Sequence, residues 1–560
     1  MTKFSKLALG ASALFVASAL LSGCAQIPHD GQIGIGPNIQ GSVAGDYFYY
    51  SPSLPTPGMA SQDVITGFLS AGTGPQNDYT VARKYLTEGL RSSWSPNDGV
   101  LIEHGSPTIQ IDSQGAATVK IQVEGEVTAD GHYVAHPDLP ERTLNYQLIK
   151  DSGEWRISSA PNLTVLLRPN FDVLFRGYSL YFFDQNYRHL VPDLRWFPAR
   201  PSTATRLVNA LLAGPSKWLL PGTVSAFPTS THLSIDSVTI TGGNANVDLS
   251  SQIFKASVDH KLYLQAQLWA TLKQLPNVLT MTLLVDHVEQ QIITYDPSEP
   301  TKVSNDPVEL TVGGLSHTSL SGSKAITGAA GIPADATDFS LSRDESWLAL
   351  STPGGTKLAT LNGLGLKPIT VDARKHLLGP AYDSNGYFWS VPISSTASIR
   401  AFNDLNNGKD VASPALKGYK RLAASISPEG SRIALILKRG GVSRLAVASI
   451  FRDSNGVPKS LGEPEFLATD LHPTNSIAWL DSNSVAVLSS DLGGKRVPVV
   501  VTIGGTERRL PSVDGAVSIA AGNEAGDIYL RLKTGYLEVF QGTGWAAISS
   551  LSKALHFPGS

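Results

Sequence analysis

The chain has 560 residues, with Lys+Arg 44 against Asp+Glu 47, a formal net charge of −3 and no long run of either sign, which excludes a broad electrostatic grip on nucleic acid. At roughly 100–200 residues per domain the length predicts several domains, and 42% hydrophobic against 16% charged residues excludes disorder driven by charge. Gly 52 and Pro 35 suit short strands joined by tight turns, so the C-terminal half is expected to be mostly β, and a single cysteine excludes an intrachain disulfide and any Cys-clustered zinc or iron–sulfur site.

Residues 1–23 read as a secretory signal peptide. Lys3 and Lys6 supply a positive start, and Leu7 to Leu21 is an uncharged run of 15 residues spanning about 22 Å as a helix, short of the roughly 30 Å bilayer core. The run stops at Leu21-Ser22-Gly23-Cys24, which resembles a bacterial lipobox at all four positions. That resemblance implies cleavage before Cys24, an S-diacylglyceryl and an N-acyl group on this cysteine, and a place on the outer face of the cytoplasmic membrane. Two acyl chains give lasting attachment where one is marginal. Residues 24–60 hold the lipidated cysteine and a Gly/Pro-rich flexible tether; Gly34-Ile35-Gly36 lies there with no strand before it and no helix after it, so it is no dinucleotide loop. No later apolar stretch reaches about 18 residues, which places everything after Cys24 on one side of the membrane.

Residues 61–165 open with two segments at helical spacing, Val64, Ile65, Phe68, Leu69 and Tyr79, Val81, Ala82, Tyr85, Leu86. The period then becomes two, through Ile109 and Ile111, the Asp112-Ser113-Gln114-Gly115 turn, Val119, Ile121 and Val123, and on to Leu144, Tyr146, Leu148, Trp155 and Ile157. Helices followed by a meander make an α+β layer domain, one that resembles NTF2-like cones. His132 and His136 fall in what reads as a solvated hairpin loop rather than a metal pair.

Residues 171–300 alternate helix and strand in the order βαββαβ. Leu180 to Phe183 and Leu190-Val191-Pro192 are strands, Ser202 caps a helix bearing Leu207, Val208, Leu211 and Leu212, and Gly214-Pro215 ends it. Strands at 233–240 and 245–249 flank Gly242-Gly243, and a second helix, about Asp259 to Leu275, places Leu262, Ala266, Trp269 and Leu272 on one stripe before the strand Val278 to Val285. The Leu211-Leu212-Ala213-Gly214-Pro215-Ser216 segment, Val247-Asp248-Leu249-Ser250 and Leu264-Gln265-Ala266-Gln267-Leu268 resemble the GerMN domain, which implies a compact α/β sandwich and a noncatalytic binding or assembly module.

Residues 310–560 repeat. Strand, polar turn and strand recur with anchors at Leu348, Phe388, Ile433, Val485 and Ile528, near the roughly 40–50-residue spacing of a propeller blade. An all-β propeller of five to six blades is expected, its Ser427-Pro428-Glu429-Gly430 turn resembling TolB-like and WD40-like blades and serving backbone geometry rather than a ligand. Catalytic motifs are missing: there is no Gly-x-Ser-x-Gly, His-Glu-x-x-His, Walker or EF-hand pattern. Ser321-Gly322-Ser323-Lys324 with Lys533-Thr534-Gly535 imitates a penicillin-binding site, but Ser321 falls in a Gly/Ser-rich connector and Lys533 on a strand. No cofactor and no metal site is expected.

The whole order of lipobox, cone, GerMN-like domain and propeller resembles the LpqB family of actinobacterial lipoproteins. The resemblance implies a noncatalytic accessory of the MtrA–MtrB two-component system that contacts the MtrB-like sensor kinase and affects cell-wall homeostasis, division and growth. A lipoprotein binding cell-wall glycan or a small ligand is the alternative, and an envelope hydrolase the third reading.

Overall fold

The computed structural model describes residues 52–560 apart from 292–294, 296, 298–305, 362–364, 404, 406–407, 550 and 560. Leu21, Ser22, Gly23 and Cys24, with the signal peptide and the tether up to residue 51, lie outside the described residues.

Helix α1, Ser61–Ala71, buries Val64, Ile65, Phe68 and Ala71. The second helical segment shrinks to α2, Thr80–Arg83, because the backbone that follows pairs elsewhere: Tyr85 O accepts from Ile157 N and Thr87 N donates to Ile157 O. A short α3, Glu88–Ser93, precedes the strands β1 Gly99–Ile111, β2 Ala116–Thr128, β3 Tyr133–Ala135, β4 Glu141–Asp151, β5 Glu154–Ser159 and β6 Thr164–Leu167. They form one sheet in the order β5-β4-β2-β1-β6, with β3 on β2 and only β6 running parallel to its neighbour. Asp112 shapes the β1–β2 turn by accepting from Gln114 N and Ala116 N. One face of this half-barrel carries Val119, Ile121, Val123 and Leu148 against α1. The other carries Val100, Ile102 and Val127 against Phe171 and Leu174 of α4, Arg168–Leu174.

The middle region comprises β7 Phe175–Asp184, β8 Leu190–Pro198, α5 Thr203–Ala213, β9 Thr223–Val224, β10 Thr239–Thr241, β11 Asn244–Leu249, α6 Val258–Leu272, β12 Thr280–Val285 and β13 Val288–Glu289. It has two sheets, β8-β7-β9 and β10-β11-β12-β13, with α6 crossing over between the parallel strands β11 and β12. Gly242 and Gly243 both take positive φ, 60° and 84°, in the β10–β11 turn, as a two-residue hairpin requires. The strand expected from residue 233 contracts to β10 because Val238 N donates instead to Thr205 Oγ1 of α5. Ser202 stands at the N-cap of α5 without a side-chain capping bond.

The α6 stripe also differs from the spacing argument. Leu264, Leu268, Thr271 and Leu272 are buried, Leu262 only partly, and Trp269 is 36% exposed. The cause is polar: Gln267 and Thr271, together with Gln274 just beyond α6, face the stretch of the β7 edge that β9 does not pair. Gln267 Nε2 donates to Tyr181 O, Tyr181 N donates to Thr271 Oγ1, and Gln274 exchanges two bonds with the Ser179 backbone. Three side chains at helical spacing thus do for β7 what another strand would do, since buried backbone groups must find partners.

From Val308 to His556 the described residues form a propeller-like β region of six antiparallel sheets. The last strand, Ala554–His556, joins the first sheet beside Val308–Thr311. The innermost strands touch in a closed circle: Ala554–His556, Asp338–Leu341, Ala381–Tyr382, Lys420–Ile426, Pro473–Trp479, Ala516–Ala521 and back. Leu348, Phe388, Ile433, Val485 and Ile528 each lie in the second strand of a sheet, while the first sheet, whose second strand from the centre is Val308–Thr311, escapes the repeat. The widest anchor spacing, Ile433 to Val485, holds an extra strand: Val442–Arg452 pairs with both Pro458–Leu461 and Glu465–Leu467. Polar staples join neighbouring sheets. Arg432, 0% exposed, takes Glu429, Ser482 O and the Trp479 ring, and Arg452 takes Asp383, which also accepts from Trp389 Nε1.

Candidate functional site

Ser427 Oγ donates to Glu429 and accepts from Arg432 N, Ser342 Oγ does likewise with Asp344 and Trp347 N, and Asp383 accepts from Asn385 N and Tyr387 N. These repeated turn residues hold backbone, as such side chains do in tight turns. Ser321 is in a hairpin turn with Lys324 on the strand after it, and Lys533 lies in a turn rather than on the strand expected; neither stands on a helix, where Ser and Lys one turn apart would have to be. His132 and His136 are not in a solvated loop: β3 pairs with β2 between them, His136 Nε2 lies 3.4 Å from Glu126 and His132 Nε2 lies 3.7 Å from Glu465 of the propeller-like region. Among the described residues no group of three or more His, Cys, Asp or Glu is gathered for a metal, and no helix is long and apolar enough to cross a membrane.

Two features have the geometry of sites. The first is a channel of about 220 Å³ touched by all six innermost strands. Small residues such as Ala424, Ser425, Ser476 and Ser518 leave it open, and Asp338, Arg531, Lys553 and His556 bring charge to it. His556 Nε2 lies 2.6 Å from Asp338 Oδ1. Arg531 Nε is buried without a hydrogen-bond partner, and burial lowers the guanidinium's pKa against the opposing pull of Asp338. Such a lining suits a small polar ligand with an acidic group.

The second is a seam on which all three regions converge. Within β8, Arg195 bonds Asp193 on its own strand and Asp130 of the half-barrel, while Asp193 also accepts from Ser216 N and Oγ. Arg195 and Asp193 are 3% and 2% exposed, so desolvation is offset only because each charge is met by several bonds. Trp196, the next residue, turns to the opposite side: its N–H joins Gly131 O and its Nε1 donates to Gly504 O of the fifth sheet. Val191, Trp218 and Leu219 share an apolar cluster with Ala434, Val447, Val485 and Val499. Gly222 is pressed so closely on the fourth sheet that a Cβ would stand 2.7 Å from Ser449 Cβ. Sequence reading missed this seam. Its one legible signal is charge at Asp193 and Arg195, two apart in an otherwise apolar strand.

An α+β half-barrel, a compact α/β module and a propeller-like β region on one chain define a three-module architecture. Residues 54–172 match the family described as lipoprotein LpqB, N-terminal domain, 313–554 the lipoprotein LpqB beta-propeller domain, and 179–291 the family described as sporulation and spore germination. The chain belongs to the LpqB lipoprotein family. It is 31% identical to lipoprotein LpqB of Thermobifida fusca (strain YX) over 49% of this chain and 46% of that one, so this alignment spans less than half of the relative. It is 23% identical to the Cutibacterium acnes protein over 91% of each chain, and 24% identical to that of Streptomyces avermitilis over 97% of each. Similar solved structures include the first GerMN domain of the sporulation protein GerM from Bacillus subtilis, 22% identical over 22% of this chain and 93% of that one with a TM-score of 0.19. A nidogen/laminin complex is 11% identical over 45% of this chain and 97% of that one, with a TM-score of 0.35.

Proposed function

We propose that this chain is a lipid-anchored extracytoplasmic accessory that contacts the sensor part of an MtrB-like histidine kinase and thereby modulates MtrA phosphorylation, with consequences for cell-wall homeostasis, division and growth. The observation that carries the reading is similarity to LpqB lipoproteins along 91% and 97% of two relatives. In this reading residues 1–23 are removed, Cys24 holds the acyl chains on the outer face of the cytoplasmic membrane, and 24–60 is the tether. The half-barrel over 61–165 acts as an NTF2-like platform, 171–300 as the GerMN module and 310–560 as a six-bladed propeller, none of them catalytic. Tethering raises the local concentration of the partner. Bias on the kinase then comes from contacting one of its conformations more favourably than the other, and the packed seam lets three modules move as one body.

The test is titration of mature chain 24–560 carrying Cys24→Ser against the extracytoplasmic part of the kinase, followed by kinase phosphorylation in membranes with and without the lipidated protein. Saturable binding with a changed phosphorylation level supports the regulator. Absence of binding at high micromolar concentration sinks it in favour of the second reading, binding of a small acidic cell-wall ligand in the channel, which the unpartnered Arg531 Nε favours.

A further inference from the structure

Charge in the six-strand channel is gathered at one pole. Residues 378–381, 422–425 and 475–478, its lining on the side of the third, fourth and fifth sheets, are all uncharged. Arg531 lies in the second strand of the sixth sheet, opposite Ser518 of the innermost strand, Lys553 and His556 stand at the closing strand, and Asp338 begins the second sheet. Every charged lining group among the described residues is therefore on the closing strand or on a sheet beside it. Asp338, the one carboxylate there, is already engaged. Its Oδ1 lies 2.6 Å from His556 Nε2 and accepts from Phe339 N, and its Oδ2 is pressed against Gly379, where no Cβ would fit. Lys553 Nζ donates to Ala334 O. Arg531 makes no side-chain hydrogen bond or ion pair among the described residues, and its Nε is shut off from solvent. A guanidinium cannot shed its proton, so a buried N–H of this kind calls for an acceptor.

We propose that an anion with a single carboxylate or phosphate group binds at this pole, held by the Arg531 guanidinium with the Lys553 charge beside it, and ties the sixth sheet to the closing strand. The inference rests on the channel being a ligand site, as the second reading above holds, and adds where the acidic group sits and what it does for the ring. Planar guanidinium donors match carboxylate and phosphate oxygens in pairs. At roughly 30 Å³ of liquid volume per water, about 220 Å³ admits a phosphate or a short organic acid and excludes a chain of sugars. The small uncharged residues of the opposite wall leave room for the rest of the ligand.

The experiment is thermal unfolding of mature chain carrying Cys24→Ser, titrated with sodium phosphate or sodium acetate against sodium chloride of matched ionic strength. A saturable rise of about 2–4 °C is expected with at least one of them, phosphate alone pointing to a phosphorylated ligand and acetate alone to a carboxylic acid. Arg531→Gln should raise the half-saturating concentration by about tenfold or more, and Arg531→Lys by less. Both are read as the change on adding anion, so a lower starting midpoint does not mask the result. Hydrogen exchange at 308–311 and 554–556 should slow when the anion is present. Absence of a saturable response to either anion overturns the proposal. A response lost in Ala424→Leu, which fills the opposite wall, but untouched by Arg531→Gln keeps the channel as a ligand site and sinks the assignment to Arg531. A response that survives both substitutions removes the channel reading as well.

Discussion

Asp372 has no exposed side-chain surface, and at the edge of the second sheet it accepts from Arg374 Nε and Nη2, from Arg374 N and from the Ser390 hydroxyl of the third sheet. Burial pushes its carboxyl up, but these bonds and the adjacent charge outweigh it and hold the group below the usual carboxylate range. A carboxyl depressed in the folded state contributes stability in full above its unfolded pKa of about 3.9 and loses it as pH falls through the folded value. Asp372→Asn should therefore cost about 2–3 kcal/mol at pH 7, below the ~3–5 of a fully buried pair because Arg374 is 26% exposed. Urea unfolding across a pH series checks this. The gap to the wild type should narrow below about pH 4, whereas a pH-independent gap would mean the loss is steric. Composition and spacing gave no sign of this residue's role: Asp372 lies outside every repeat that the sequence displays, and its partners are set by how two sheets meet.

The strand β7 is met on one side by β8 and on the other by β9 at Phe183 and Asp184 and, before that, by the side chains of Gln267, Thr271 and Gln274. Gln267 also accepts from Ala226 N, so one fully buried amide serves two backbone groups. Gln267→Leu should leave Ala226 N unmet, take its bond from Tyr181 O and cost about 1–3 kcal/mol, the range for one orphaned buried group. Hydrogen exchange would show faster opening of 175–184 than of the half-barrel; equal protection of both would refute the edge role. The sequence did display α6, since its apolar residues, Asp259 in the first turn and Pro276 after the end are local signals. It could not display which face points inward, because that face is chosen by the backbone groups of β7, about 90 residues away, and a glutamine reads as surface until its partners are known.

Closure of the propeller-like region depends on Ala554–His556, which completes the first sheet and carries His556 to Asp338 of the second. A closed ring leaves no open edge between first and last sheets, and removing one strand reopens it. Truncation after Lys553 should lower the thermal midpoint and promote association through the exposed edge, measured by calorimetry and light scattering. A truncated chain that stays monomeric with an unchanged midpoint would show that the strand adds nothing. Repeats in the sequence indicated stacked four-stranded sheets but not the closing strand, because it is three residues long and its partner is more than 200 residues earlier in the chain.

By itself the sequence determined the order of the modules, the helix ends at Gly214 and Pro276, the glycine hairpin at Gly242-Gly243 and the periodic second strands of the propeller, all of which rest on interactions within a few residues. It also carried the expectation for Cys24, a motif of four consecutive residues. Only the tertiary structure decided the seam through β8 and the six-strand channel. Each joins groups far apart in the chain, and the energy of a buried charge is set by what surrounds it rather than by its neighbours in sequence.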